Sequence, residues 1–173
     1  MSIEGLKEIF LPSFPDERGV FLESYQENRY FQMGISHPFV QDNCVYSKKD
    51  VLRGLHYSDQ AKLIFCLQGK ILDVAVDLRK NSSTFGKWQS LILEENSFRQ
   101  FYIPQGFAHG YLVLSSSAIV HYKVSSLYDP LKEGSIRWND PDLAIDWGID
   151  LPILSQKDQK APFFKEIQWE FGF

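Results

Sequence analysis

The sequence is poor in the features that would place it outside a soluble, single-domain class. Cysteine occurs 2 times, as Cys44 and Cys66. Cys66 sits inside the run Leu63-Ile64-Phe65-Cys66-Leu67, so a reduced thiol in a strand is expected rather than a disulfide framework, and the cytoplasm is the expected compartment. No stretch approaches the ~20 consecutive apolar residues that a bilayer-crossing helix needs. The segment Met1 to Phe10 carries Glu4, Lys7 and Glu8 and lacks the basic-then-apolar order of a signal peptide. The 18 lysines and arginines are scattered and outweighed by 22 acids, which argues against a nucleic-acid polymer or an anionic membrane as partner. A single nucleotide is compatible with that balance. Without an internal repeat, a low-complexity tract or a flexible linker, residues 1–173 are expected to form one domain.

Short runs of β-branched, leucine and aromatic residues alternate with clusters of Gly, Pro, Asn and Ser, the pattern of an all-β sandwich or barrel. Strands are expected at Val20 to Tyr25, Lys62 to Leu67, Ile71 to Leu78, Gln89 to Leu93, Arg99 to Ile103, His109 to Leu114 and Ile119 to Val124. Gln68-Gly69-Lys70 reads as a hairpin turn between the second and third of these. Gln26 to Met33, closed by Gly34, is the best helix candidate. From Pro152 onward the chain is expected to wrap the barrel as turns and brief helices.

Alternation assigns faces. Val74, Val76 and Leu78 share one side of their strand, with Asp73, Ala75 and Asp77 on the other. Lys62 shares a face with Ile64 and Cys66, which sets a cation at the end of an apolar strip. Tyr122 shares a face with Val120 and Val124 and is expected to point inward, His121 and Lys123 outward. Taken singly, each of these residues has an ordinary explanation: a solvated rim lysine, a core tyrosine with a local hydrogen bond, a structural histidine. Asp158 would by default cap a turn or helix.

Two segments are less easily dismissed. Arg53-Gly54-Leu55-His56 leads into an apolar strand, and Pro104-Gln105-Gly106-Phe107-Ala108-His109 fits P-x-G-x2-H. Together they resemble the two motifs of the cupin family of β-barrels, which implies a cupin/jelly-roll barrel with short peripheral helices. In the first cupin motif, H-x-H-x3-E-x6-G, His56 and Gly69 fit, while Ser58 replaces the second histidine and Lys62 the glutamate. An ammonium repels a divalent ion, and two imidazoles make a poor site beside the three or four ligands metals usually take. The expected contents of the pocket are acid–base groups without a metal or redox cofactor.

A narrower resemblance covers nearly the whole chain in order. Asp16-Glu17-Arg18-Gly19-Val20-Phe21-Leu22-Glu23, Gln41-Asp42-Asn43, Val51-Leu52-Arg53-Gly54-Leu55-His56-Tyr57, Asp73 to Arg79, Gly106 to Gly110, Trp138-Asn139-Asp140-Pro141 and Leu154 to Asp158 resemble the dTDP-4-dehydrorhamnose 3,5-epimerase family. The resemblance implies that His56 is the proton acceptor, Tyr122 the proton donor and Asp158 the carboxylate paired with the histidine. It sets Lys62 and His109 around the reacting sugar and Tyr128 against the nucleotide base. Arg18, Phe21, Glu23, Gln41, Asn43, Arg53, Glu133 and Lys157 match further substrate-binding positions. It also implies a homodimer with an exchanged N-terminal strand, in which Arg18, Phe21 and Glu23 serve the neighbouring pocket.

These residue types suit the reaction. A proton beside a ketone is far less acidic than imidazolium, whose reference pKa is near ~6.5. A general base contributes typically ~10²–10⁴-fold, so the enolate must be stabilised as it forms, and Lys62 with Arg53 or His109 is the expected device. The expected activity is metal-independent epimerisation at carbons 3 and 5 of a 4-keto-6-deoxy nucleotide sugar. Only Tyr57-Ser58-Asp59-Gln60-Ala61 separate His56 from Lys62, shorter than is usual in the family, which gives weight to a single-carbon epimerase as the alternative. A metal-dependent cupin oxygenase is disfavoured by Ser58 and Lys62. A non-catalytic sugar-binding cupin is disfavoured by His56, Tyr122 and Asp158 together, since binding alone requires no acid and base.

Overall fold

Alternating apolar residues close two antiparallel five-stranded sheets on each other in the computed structural model, which describes residues 3–169. The strands are β1 (Lys7–Phe10), β2 (Ser13–Asp16), β3 (Gly19–Leu22), β4 (Gln41–Lys48), β5 (Leu52–Tyr57), β6 (Lys62–Gln68), β7 (Lys70–Asp77), β8 (Trp88–Glu94), β9 (Arg99–Ile103), β10 (Phe107–Val113), β11 (Ser117–Val124) and β12 (Gly134–Ser135). One sheet runs β1-β9-β6-β11-β4, the other β12-β5-β10-β7-β8, and β2 pairs with β3 as a separate ribbon. Inward side chains of both large sheets, among them Ile64, Cys66, Ala75, Phe101, Val113 and Val120, form one buried cluster between them. The fold is the all-β cupin/jelly-roll barrel that the motifs suggested, with short helices at its edges.

The outer faces are covered differently. Val74 and Val76 of β7, with Leu78 just past its end, pack with Leu52, Leu55, Leu112, Leu143 and Trp147, so the segment that carries Leu143 and Trp147 lines the back of that sheet. On the other sheet, helix α1 (Glu27–Gln32) lays Tyr30 against Leu63 and Tyr102. The side chain of Gln26 caps α1 by accepting from the Arg29 amide at 2.6 Å, which satisfies one of the free N–H groups of the first turn. Helix α2 (Gln156–Gln159) and a single turn at Phe164–Glu166 are the brief helices of the tail.

The structure corrects one expectation. Gln68-Gly69-Lys70 is not a hairpin turn: β6 pairs with β9 and β11, whereas β7 pairs with β10 and β8. The turn carries the chain from one sheet to the other. Gly69 has φ +80, and a Cβ there would lie 2.1 Å from the Ser117 carbonyl oxygen, so the corner has room only for glycine. Another difference is at Val20 to Tyr25, where the strand ends at Leu22. Tyr25 instead joins an aromatic group with Tyr30 and Phe39 beside α1.

Candidate active site

A second glycine shapes the site. In an unbroken strand Arg53 and His56, three positions apart, would face opposite sides. The β5–β10 register shifts between His109 and Tyr111, and Gly54 crosses there with φ +123, so close that a Cβ would lie 2.6 Å from the Gly110 Cα. This irregularity turns both Arg53 and His56 into the same cavity, while Leu52, Leu55 and Tyr57 stay in the outer core. Irregular pairing of this kind commonly re-aims side chains beside functional sites.

The cavity has a volume of about 280 Å³. One wall carries Arg53 and His56 from β5 and His109 and Tyr111 from β10; the facing wall carries Lys62 from β6 and Tyr122 from β11. Glu133, Lys157 and Asp158 close its rim.

His56 Nε2 lies 2.6 Å from Asp158 Oδ1. Burial raises the Asp158 carboxyl, but the His56 hydrogen bond and charge, together with bonds from Ser155 and the Gly54 amide, more than offset this and hold it below the usual carboxylate range. An ionised carboxylate only accepts, so Nε2–H is the donor, and in the neutral ring the lone pair lies on Nδ1. The N-cap of α2 fixes the carboxylate, because Ser155 Oγ accepts the Asp158 amide at 3.1 Å. The default reading of Asp158 as a capping residue therefore gives way: Ser155 caps, and Asp158 faces the histidine.

Opposite lie the lysine and the phenol. Burial pushes the Lys62 amine down to about 8, against the attraction of Glu133 and Asp73. Tyr122 is raised by burial and by Glu133, with Arg53 opposing. His109 Nε2 stands 3.0 Å from both oxygens of Asp73. Asp73 is fully buried, and its carboxyl is raised by burial against the pull of His109 and Lys62. Arg53 Nε donates to Ser47 Oγ at 3.0 Å, and Lys157 Nζ is 3.7 Å from Glu133 Oε2. Such a set can accept a proton at an imidazole, return one from a phenol and steady a growing oxyanion with an ammonium. Among the described residues, no three His, Cys, Asp or Glu side chains come together as a metal ion would require.

The remaining candidates lie outside this cavity. Arg18 pairs with its neighbour Asp16 on the β2–β3 ribbon, Phe21 on the same ribbon is 68% exposed, and Glu23 pairs with Arg29. Gln41 Nε2 donates to Asn43 Oδ1 at 2.8 Å. Both sit on β4, whose Asn43 is in register with Tyr122. Tyr128 is 63% exposed on the segment between β11 and β12. Sequence reasoning did not single out Asp73, Tyr111, Gln60 or Ser155. Only Asp73 left a signal, as an acid on the same strand face as the inward Ala75.

The sequence model of the family described as dTDP-4-dehydrorhamnose 3,5-epimerase matches residues 1–166. The enzyme of that name from Salmonella typhimurium is 47% identical over 159 residues, covering 88% of this chain and 87% of its own. A crystal structure of dTDP-6-deoxy-D-glucose-3,5-epimerase from Legionella pneumophila, in complex with dTDP-4-keto-L-rhamnose, superposes with a TM-score of 0.93 at 47% identity, covering 97% of this chain and 92% of that one. A 3'-monoepimerase from Streptomyces bikiniensis, in complex with dTDP-quinovose, gives a TM-score of 0.87 at 35% identity, covering 94% and 85%. Matched from the N-terminal ribbon to the tail that carries Asp158, the chain belongs to the dTDP-4-dehydrorhamnose 3,5-epimerase family.

Proposed function

We propose that the protein converts dTDP-4-dehydro-6-deoxyglucose to dTDP-4-dehydro-L-rhamnose by inverting carbons 3 and 5. The observation that carries this reading is the placement of the Asp158-held His56 on one wall of the cavity and of Lys62 and Tyr122 on the other. Both carbons flank the C4 ketone. His56 Nδ1 takes the proton from carbon 3 or 5, the C–H electron pair moves into the ring, and the C4 oxygen becomes an enolate. Lys62, with Arg53 and His109, stabilises that oxygen. Tyr122 returns a proton to the opposite face of the carbon, restoring the ketone with inverted configuration. Asp158 orients the imidazole and stabilises its charged form, as carboxylates do beside catalytic histidines.

Arg18, Phe21, Glu23, Gln41, Asn43, Glu133 and Lys157 hold the remainder of the substrate, and Tyr128 stacks on its base. A homodimer completes this set. Every residue of β2 is exposed, and Phe14, Val20 and Phe21 leave the ribbon largely uncovered within its own chain, which supports its exchange into a neighbour.

The test is proton NMR of dTDP-4-keto-6-deoxyglucose with the protein in heavy water. Loss of the signals at both carbons 3 and 5, near-abolished in a His56→Asn variant, is the expected result. Near-normal exchange in that variant would remove His56 from the role of base. A single-carbon epimerase is the second reading. The short connection from His56 to Lys62 and the likeness to a 3'-monoepimerase favour it, and loss of one signal alone would establish it.

A further inference from the structure

The short connection after His56 does more than join two strands. Asp59 receives Lys132 Nζ at 2.8 Å and Ser126 Oγ at 3.3 Å. Its neighbours add to the join: Gln60 Nε2 donates to the Ser126 carbonyl at 2.7 Å, and Ala61 N to Ser125 Oγ at 2.9 Å. Gln105 Nε2 holds the Asp59 carbonyl from the other side at 2.6 Å.

Residues 126 and 132 are the two feet of the segment that carries Tyr128. Between them the chain makes one tight turn, in which the Asp129 carboxylate accepts the Leu131 amide at 3.0 Å and the Asp129 carbonyl accepts the Lys132 amide at 3.1 Å. Its apolar side chains point away from the core: Leu127 is 67%, Tyr128 63% and Leu131 89% exposed. The segment also springs from the cavity rim, since Gln60 at one foot and Glu133 just past the other both line the cavity. An arch whose apolar side chains are mostly exposed depends on its feet for its position, and both feet meet on one carboxylate.

We infer that Asp59 is a positioning residue for nucleotide recognition, closing the arch 126–132 so that the Tyr128 ring is presented to the base at the mouth of the cavity. This rests on the reading of Tyr128 as the base platform and assigns the short connection to substrate choice. Fixing both ends of a loop removes conformations that binding would otherwise have to freeze out. The contribution is small, because Asp59–Lys132 is a partly exposed ion pair.

The experiment is calorimetric titration of dTDP into the wild type, Asp59→Asn, Lys132→Ala, Tyr128→Ala and the Asp59→Asn/Tyr128→Ala pair, with KM and kcat for the nucleotide sugar alongside. Asp59→Asn and Lys132→Ala are expected each to weaken dTDP binding about 3- to 5-fold, the scale of one exposed ion pair. The loss should fall on KM rather than kcat, and the double variant should bind no more weakly than Tyr128→Ala alone. Unchanged affinity in Asp59→Asn and Lys132→Ala, or a full additional loss in the double variant, would overturn the inference while leaving the platform reading intact. If Tyr128→Ala costs no affinity, or the wild type takes up no dTDP, the platform reading fails and the inference falls with it.

Discussion

Lys62 is kept where its charge is expensive. An ammonium whose pKa falls from 10.5 to about 8 on burial costs the folded state about 3 kcal/mol, at 1.36 kcal/mol per pKa unit. The cost is complete below pH 8, where the folded protein carries the charge. Between about 8 and 10.5 the unfolded chain binds more protons than the folded one, so this group alone makes stability rise with pH. The proposed catalysis runs the opposite way, because the enolate assigned to Lys62 needs the charged amine. The kcat/KM profile is expected to fall as pH rises through about 8, and Tyr122, with its pKa raised, is not the source of that limb. Lys62→Met should gain on the order of 2–3 kcal/mol in urea unfolding at neutral pH and lose most activity. Loss of stability in that variant would show that the lysine is favourably paired rather than strained.

At the scale of the element, glycine corners decide where the strands can carry chemistry. Gly69→Ala places a side chain against the Ser117 carbonyl at a positive φ. It is expected to cost at least about 1–3 kcal/mol, measured as a lowered urea midpoint, with the cavity residues unchanged in kind. The inward direction of Tyr122 was legible because β11 is apolar on the face it shares with Val120 and Val124, whereas β6 is apolar on both faces and alternation gave only the face of Lys62, not its direction. Strand β4, Gln-Asp-Asn-Cys-Val-Tyr-Ser-Lys, was not foreseen as a strand: its less exposed positions, 41, 43, 45 and 47, are mostly polar. The sheet change at Gly69 was equally hidden, since the same glycine turn serves a hairpin or a corner and only distant partners choose between them. The pairing of His109 with Asp73 joins residues 36 positions apart, which no local pattern encodes. The roles proposed for His56, Tyr122 and Asp158 rest on family resemblance; the geometry adds that His56 bonds Asp158 and that all three line one cavity.

The whole molecule has an exposed ribbon, β2–β3, and a cavity whose lining does not include the Arg18, Phe21 and Glu23 proposed for it. A symmetric dimer would supply these residues reciprocally. Two inactive variants, Arg18→Ala and His56→Asn, mixed and allowed to exchange subunits, should then recover about a quarter of wild-type activity. Half of the dimers would be mixed, with one intact site in each. If mixing restores nothing while sedimentation shows dimers, the ribbon does not complete its neighbour's site.

The strand order also governs when the site can come into being. Among the described residues, apart from β2–β3 and β7–β8, no strand pairs with the one next to it in the chain, and His56 meets its carboxylate 102 residues later. Such long-separation pairings place folding among the slower single domains, on the order of milliseconds to seconds. They also leave early strands without partners during synthesis: β1 waits for β9, β5 for β10, and the imidazole for a helix that begins 100 residues further along the chain. A fragment that stops short of Asp158 lacks the carboxylate that holds the His56 ring, so the His56 wall of the cavity and its rim are joined at this point only after the segment that carries Asp158 has been made.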